Sequence, residues 1–148
     1  MDPLQIFKKY AAAFEVAVAS GRWNLVEQFF TDDAVYVVEK GPPLGGVRES
    51  RDAVMDFIQW SVNDFDLRFE RRTATITEGP VEKDGGVWLR WRLDYETPGL
   101  PLLSVSGVET LAFEEGKIRR IEDHYDPGSM EAIESFFKAH GENLVVKH

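Results

Sequence analysis

From Leu67 to Tyr125 the chain reads as four β-strands in immediate succession, and this run constrains the fold more than any other feature. Residues 67–78 alternate Thr73, Thr75 and Thr77 with Ala74 and Ile76, the two-residue period of a strand. Asp84-Gly85-Gly86 is a turn signal that leads into a second strand, Val87 to Thr97. Thr97-Pro98-Gly99-Leu100-Pro101 must be a loop, because prolines cannot donate to a sheet ladder. Leu103 to Phe113 is the third strand, and Glu114-Glu115-Gly116-Lys117 turns tightly into the fourth, Ile118 to Tyr125.

The helices group on either side of that run. Leu4, Phe7, Ala11, Phe14 and Val18 recur at three- and four-residue steps, which predicts an amphipathic helix closed by Gly21. Trp23 to Phe30 gives a shorter helical segment with Trp23, Val26 and Phe30 on one side. Asp32-Asp33 break that pattern, and Ala34 to Val38 reads as a strand. Gly41-Pro42-Pro43-Leu44-Gly45-Gly46 reads as a loop, and Ser50 caps a third helix with Val54, Phe57, Ile58, Val62 and Phe65 on its apolar face. Asp126-Pro127-Gly128-Ser129 stops the sheet and opens a last helix through Met130, Ile133 and Phe137, ended by Gly141. Strands that follow strands, with helices before and after, argue for an α+β class rather than a doubly wound sheet. We expect one domain over residues 1–142 and a loose tail over 143–148.

Composition narrows the function classes. The length of 148 residues suits one domain, and 43% hydrophobic content with 10 Phe, 4 Trp and 4 Tyr suffices for a packed core. A nucleic-acid reader needs a basic face, whereas the net charge here is −9. Arg71 and Arg72 are neighbours on a strand and point to opposite faces. Nucleic acid and anionic membrane are therefore not expected as partners. The absence of cysteine removes disulfides, thiolate nucleophiles and Cys-based metal sites, and it fits a reducing compartment. Met1 to Gln5 carry no signal-peptide pattern, and no apolar run reaches the ~20 residues that span a bilayer, so a cytoplasmic location is expected. His124, His140 and His148 share no ligand spacing, and no Gly-rich phosphate loop is present, so no metal and no cofactor are expected.

Three segments carry a family resemblance: the "TDDAVYV" opening (Thr31 to Val37), the "RDAVMDF" helix (Arg51 to Phe57) and the "EEGKIRRIEDHYDP" hairpin (Glu114 to Pro127). Together they resemble the NTF2-like superfamily, and within it the SnoaL-like and limonene epoxide hydrolase-like branches, over roughly residues 5–140. The resemblance implies a cystatin-like cone, in which a curved mixed sheet wraps N-terminal helices, ends in a C-terminal helix and encloses one pocket. This fold hosts isomerases, cyclases, dehydratases, hydrolases and binders alike.

Alternation then decides which side chains face that pocket. On the last strand Arg119, Ile121, Asp123 and Tyr125 share one face, and apolar Ile121 with amphipathic Tyr125 place it inward. A carboxylate among apolar neighbours loses hydration, its pKa rises, and it becomes a useful base near neutral pH. On the strand of Val87 to Thr97, composition alone buries Leu89, Trp91, Leu93 and Tyr95. The epoxide hydrolase resemblance argues instead for Trp88, Arg90, Arg92 and Asp94, because that branch carries an Arg-x-Asp here and an Asp on the last strand. Arg92-Leu93-Asp94 and Asp123 match these positions, and Tyr36 matches a tyrosine on the first strand; the branch's asparagine falls on Val38, a departure.

The resemblance implies that Asp123 deprotonates a water, Asp94 protonates the leaving epoxide oxygen, Arg92 sits between the two acids and Tyr36 holds the water. In the ketosteroid isomerase register, Phe14 and Val38 stand where that branch has its tyrosine and its base, and Glu109 falls near its third acid. SnoaL-like cyclases use an acid on the last strand, a role open to Asp123. Trp60, Trp88, Arg90, Glu109, Tyr125, Val38 and Phe14 complete the expected pocket, for an apolar small molecule. Three readings follow: a cofactor-independent hydrolase or lyase using Asp123, Arg92 and Asp94; a proton-transfer isomerase or cyclase using Asp123 with Glu109 or Tyr36; and a non-catalytic binding or dimerisation module. On the plainer alternatives Arg92 and Asp94 form a solvated ion pair, Tyr36 is structural, and the tryptophans belong to core or interface. A homodimer through the outer sheet face is expected; light scattering at micromolar concentration should give a dimer mass, and a monomer mass would rule it out.

Overall fold

The chain enters its first helix, α1 (Pro3–Ser20), through a reciprocal capping box. The Asp2 side chain accepts from the Gln5 backbone N–H, while the Gln5 side chain accepts from the Asp2 backbone N–H. Gly21 ends the helix in the left-handed region at φ 76°, where a side chain would be strained. This computed structural model describes residues 2–39 and 45–144. A one-turn helix α2 (Asn24–Glu27) leads into strand β1 (Phe30–Val38). The strand starts four residues before Ala34, because Phe30 is wholly buried and pairs with Ile118.

Strand β2 (Gly46–Glu49), where no strand was expected and whose first residue falls in the stretch read as loop, pairs antiparallel with β1. Four residues are too short to show a period. Residues 41–44 of the expected loop lie outside the described residues. Ser50 Oγ accepts from the Ala53 N–H at the start of α3 (Arg51–Asp64), as its sequence indicates. A single 3₁₀ turn, Asp66–Arg68, stands where a strand was expected to begin. Strands β3 (Arg71–Lys83), β4 (Gly86–Glu96), β5 (Leu103–Glu114) and β6 (Lys117–Tyr125) follow, then helix α4 (Ser129–His140). Leu144 is buried against the core, so packing continues past residue 142; residues 145–148 of the expected tail lie outside the described residues.

The strands form one sheet in the order β2-β1-β6-β5-β4-β3, with β1 and β6 parallel and the other pairs antiparallel. The sheet curves without closing, and its concave face holds two apolar cores. One gathers α1, α2 and α3 over Val87, Leu89, Leu111, Ile118 and Ile121. The other packs Ile133 and Phe136 of α4 on Tyr95, Leu103 and Val105, and Trp91 touches both. Gly107 faces Trp91 across the β4–β5 ladder, and a Cβ there would lie 2.8 Å from the indole and 2.4 Å from the His124 carbonyl oxygen. Only glycine lets the ring lie against that strand.

Strand β4 turns Leu89, Trp91, Leu93 and Tyr95 toward the cores, the arrangement composition favours. Trp88, Arg90, Arg92 and Asp94 take the opposite face, which corrects the inward placement implied by the epoxide hydrolase resemblance. There Arg90 pairs with Asp126 at 3.0 Å and Arg92 with Asp94 at 3.1 Å. Turning two arginines inward would strip their hydration and leave Leu89 and Tyr95 in water. On β6 a register irregularity brings Ile118 into the core, while Arg119 pairs with Asp33 and Glu114.

Core and outer face should respond differently to truncation. Ile121→Ala, at a wholly buried side chain, should cost about 3 kcal/mol in urea denaturation, and Arg92→Ala should stay within about 0.5 kcal/mol.

Candidate active site

Three adjacent strands bring the acidic cluster together. Val38 of β1 stands beside Asp123 of β6, and Asp123 stands directly opposite Glu109 of β5. Tyr36, two residues before Val38, shares its face and reaches diagonally to donate its hydroxyl to Asp123 Oδ2. Tyr10 of α1, buried on the helix's apolar stripe, closes the group from above. All five side chains line a cavity of about 580 Å³ on the concave face. Its walls are mainly apolar: Phe7, Phe14, Phe57, Phe65, Leu89, Trp91 and Leu93. Exposed Glu15 and Ile76 in the lining mark its open side.

Two carboxyls facing each other in a desolvated site cannot both ionise cheaply. Burial pushes Glu109 well above the ordinary carboxylate range, and the nearby Asp123 pushes it further. Burial also raises Asp123, but hydrogen bonds from Glu109 and Tyr36 favour its ionised form and oppose the rise. Asp123 Oδ1 is buried and has no hydrogen-bond partner among the described residues. The acidic proton of Glu109 is the donor that can satisfy it. The upward push on Glu109 favours its neutral form, in which it and the Tyr36 hydroxyl can both donate to Asp123. Tyr10 and Tyr36 are held well above the usual tyrosine range by burial and by the two acids.

A second polar group lines the same cavity at its other end. Asp66, in the turn after α3, accepts from the Tyr95 hydroxyl at 2.8 Å and from Arg72 Nε at 2.8 Å. Arg72 also bonds Glu15 of α1 at 3.3 Å. Despite these partners, burial lifts Asp66 to about 6. Tyr125, beneath Trp91 and near both groups, is also raised by burial.

Of the side chains expected at the site, the cavity brings together Asp123, Tyr36, Glu109, Val38, Tyr125 and Phe14. Arg92 touches its edge beside Thr75, but its Nε is held by Asp94 and its side chain is 48% exposed. Asp94 is not in the lining; it bonds Ser104 at 2.6 Å on the outer face. Trp88 and Arg90 share that face, and Trp60 stacks on Phe57 with 38% exposure, outside the cavity. Tyr10, Asp66, Arg72 and Tyr95 were not singled out from the sequence. Tyr10 had a signal, since it follows Phe7 by three residues and precedes Phe14 by four. Asp66 had none, because an Asp after a helix reads as a solvated cap. Among the described residues no three His, Asp or Glu side chains could hold a metal ion. Nor is any helix long and apolar enough to cross a membrane.

The family model for the SnoaL-like domain matches residues 10–121. The chain belongs to the SnoaL-like family. No curated protein matches the sequence. Among solved structures, Bal32a from a soil-derived mobile gene cassette is similar at 17% identity and TM-score 0.69, over 90% of this chain and 97% of that one. An NTF2-like protein of unknown function from Burkholderia pseudomallei gives 17% identity and TM-score 0.68, over 92% and 98%. A putative isomerase from Bacillus subtilis gives 15% identity and TM-score 0.67, over 93% and 96%. At these identities the likeness establishes the NTF2-like fold. It leaves the chemistry to the residues of the SnoaL-like cavity itself.

Asp66 links the cavity to pH. Burial holds its carboxyl at about 6, above the ordinary aspartate value of about 3.9. Its contribution to stability is therefore full below the lower value and is lost as pH rises through the upper one. The stability of the parent minus that of Asp66→Asn, from chemical denaturation, should fall between pH 4 and pH 7. A difference that does not change with pH would contradict the raised value.

Proposed function

We propose that this SnoaL-like protein is a cofactor-independent acid–base enzyme that moves a proton on a largely apolar carbonyl compound, as an isomerase or cyclase does. The observation that carries the reading is the buried set of Asp123, Glu109 and Tyr36 on one wall of an apolar cavity. A base and an acid whose environments hold them in different protonation states are what such chemistry needs.

In the proposed step Asp123 takes a proton from carbon next to the substrate carbonyl. The C–H bond breaks, its electron pair moves into an enolate, and negative charge collects on oxygen. Asp123 has then become a neutral acid and is a weaker acceptor. Glu109 and Tyr36 are thereby released to donate to the developing oxyanion, in a site where the surrounding apolar wall excludes water. Asp123 returns the proton to another carbon, which completes an isomerisation, or the enolate carbon attacks a second carbonyl, whose π electrons move to oxygen, and the new alkoxide takes the proton back from Asp123, which closes a ring.

A water-adding reading shares Asp123 and Tyr36. In that version Asp123 activates water and neutral Glu109 protonates an epoxide oxygen, the role first assigned to Asp94. It is favoured only by the acid beside the base, and it ranks second because the Arg92–Asp94 pair that suggested it is an ion pair on the outer face.

Deuterium uptake at the α-carbon of a panel of apolar β,γ-unsaturated ketones and 1,3-diketones, followed by NMR in D₂O, tests the first reading. Asp123→Asn should slow exchange by about 10²- to 10⁴-fold, and Arg92→Ala and Asp94→Asn should stay within about twofold of the parent. The pH profile should rise as Asp123 ionises, above the ordinary aspartate range, and fall as Glu109 loses its proton. No exchange with any ketone, together with labelled diol from epoxides in ¹⁸O-water that is lost in Glu109→Gln, would replace the first reading with the second.

A further inference from the structure

The Asp66, Tyr95 and Arg72 group has no part in the proton-transfer step, yet it lines the same cavity. Asp66 is 8% exposed and Tyr95 2%. Leu89 stands beside Glu109 in the β4–β5 ladder. Tyr95 lies further along the same strand, residue 95 against residue 89, which is roughly 20 Å of strand contour at about 3.3 Å per residue. The wall between is apolar, made of Phe14, Phe65, Trp91 and Leu93. The cavity thus has two polar ends and an apolar middle.

The far end has open valences of a definite kind. Arg72 spends Nε on Asp66 and Nη1 on Glu15, which leaves the donors of Nη2 without a bonded acceptor among the described residues. Tyr95 gives its proton to Asp66, so its oxygen can still accept. Asp66, at about 6, is mostly ionised at neutral pH. Two carboxylates, Asp66 and Glu15, therefore outweigh the one guanidinium, and a ligand anion would be repelled. A ligand cation would meet the N–H groups of Arg72. An uncharged hydroxyl fits both sides, since it accepts from Nη2 and donates to the tyrosine oxygen.

We propose that Arg72 and Tyr95 bind an uncharged hydroxyl group at the end of an elongated apolar ligand whose other end reaches Asp123. Asp66 acts through them: it fixes the Tyr95 proton on itself and locks the guanidinium in register, so the two binding atoms are set before the ligand arrives. The inference deepens the proposed function at its substrate and rests on the cavity being the ligand site; it does not require that the proton step occur.

Three probes of one shape, 4-hydroxybiphenyl, biphenyl and biphenyl-4-carboxylate, test it by calorimetric titration of the full chain. One good hydrogen bond contributes about 0.5 to 1.5 kcal/mol, so the phenol should bind about 2- to 12-fold tighter than biphenyl, and the carboxylate should bind more weakly than the phenol. The hydroxyl advantage should vanish in Tyr95→Phe and in Arg72→Lys, which keeps the charge and loses Nη2, and should persist in Asp123→Asn. The proposal is overturned if the advantage survives both far-end variants, if it disappears in Asp123→Asn, if the carboxylate is preferred, or if none of the probes binds. Preference for the phenol without any deuterium exchange would sink the proton-transfer reading alone. Exchange without that preference would sink this one alone.

Discussion

The burial of Asp123 directly opposite Glu109 is the interaction on which the rest of the site depends. Like charges facing each other across a ladder destabilise a sheet, and desolvation sharpens the conflict. Burial pushes the Glu109 carboxyl well above the ordinary range, which favours a proton there, and the Tyr36 hydroxyl donates to Asp123. That arrangement costs stability, because each carboxyl would sooner ionise in water. It persists because the strands that carry it are anchored by fully buried neighbours, Ile118 and Ile121 on β6 and Phe30 on β1. The core thus holds in place a pair of groups that would not remain together on their own.

The same economy shapes the cavity. A curved sheet under three helices leaves space on its concave face, and Trp91 over Gly107 divides that face between two cores. The acidic cluster belongs to the first core. The Asp66, Arg72 and Tyr95 group belongs to the second, where α4 closes the end of the sheet. Each polar group is bonded largely within itself, as buried polar groups tend to be, with Asp123 Oδ1 the atom left over. What distinguishes them is charge: one sets two carboxyls with raised pKa against each other, the other is an ion pair with open hydrogen-bond valences.

Much of this was legible in the chain. The succession of strands, the caps at Ser50 and Gly21 and the α+β order follow from period and punctuation. The face of Asp123 follows from its neighbours Ile121 and Tyr125. The face of β4 was legible as well, since Leu89, Trp91, Leu93 and Tyr95 are its apolar set; the competing placement came from a three-residue family pattern, Arg92-Leu93-Asp94, which an outer-face ion pair satisfies equally well. Strand β2 and the turn at Asp66 were not legible, the first because it is too short to show a period, the second because its partners lie elsewhere in the chain.

By itself the sequence determined the class of fold, the absence of thiol chemistry, the acidic surface and one inward carboxylate. Those properties depend on composition and on neighbours a few residues away. Only the tertiary structure decided that Asp123 meets Glu109 and Tyr36, and that Asp66 meets Arg72 and Tyr95. These are contacts between residues 14 and 87 positions apart in the first case and 6 and 29 in the second. Strand register and sheet curvature set them, and local pattern carries no information about which strand will lie beside which.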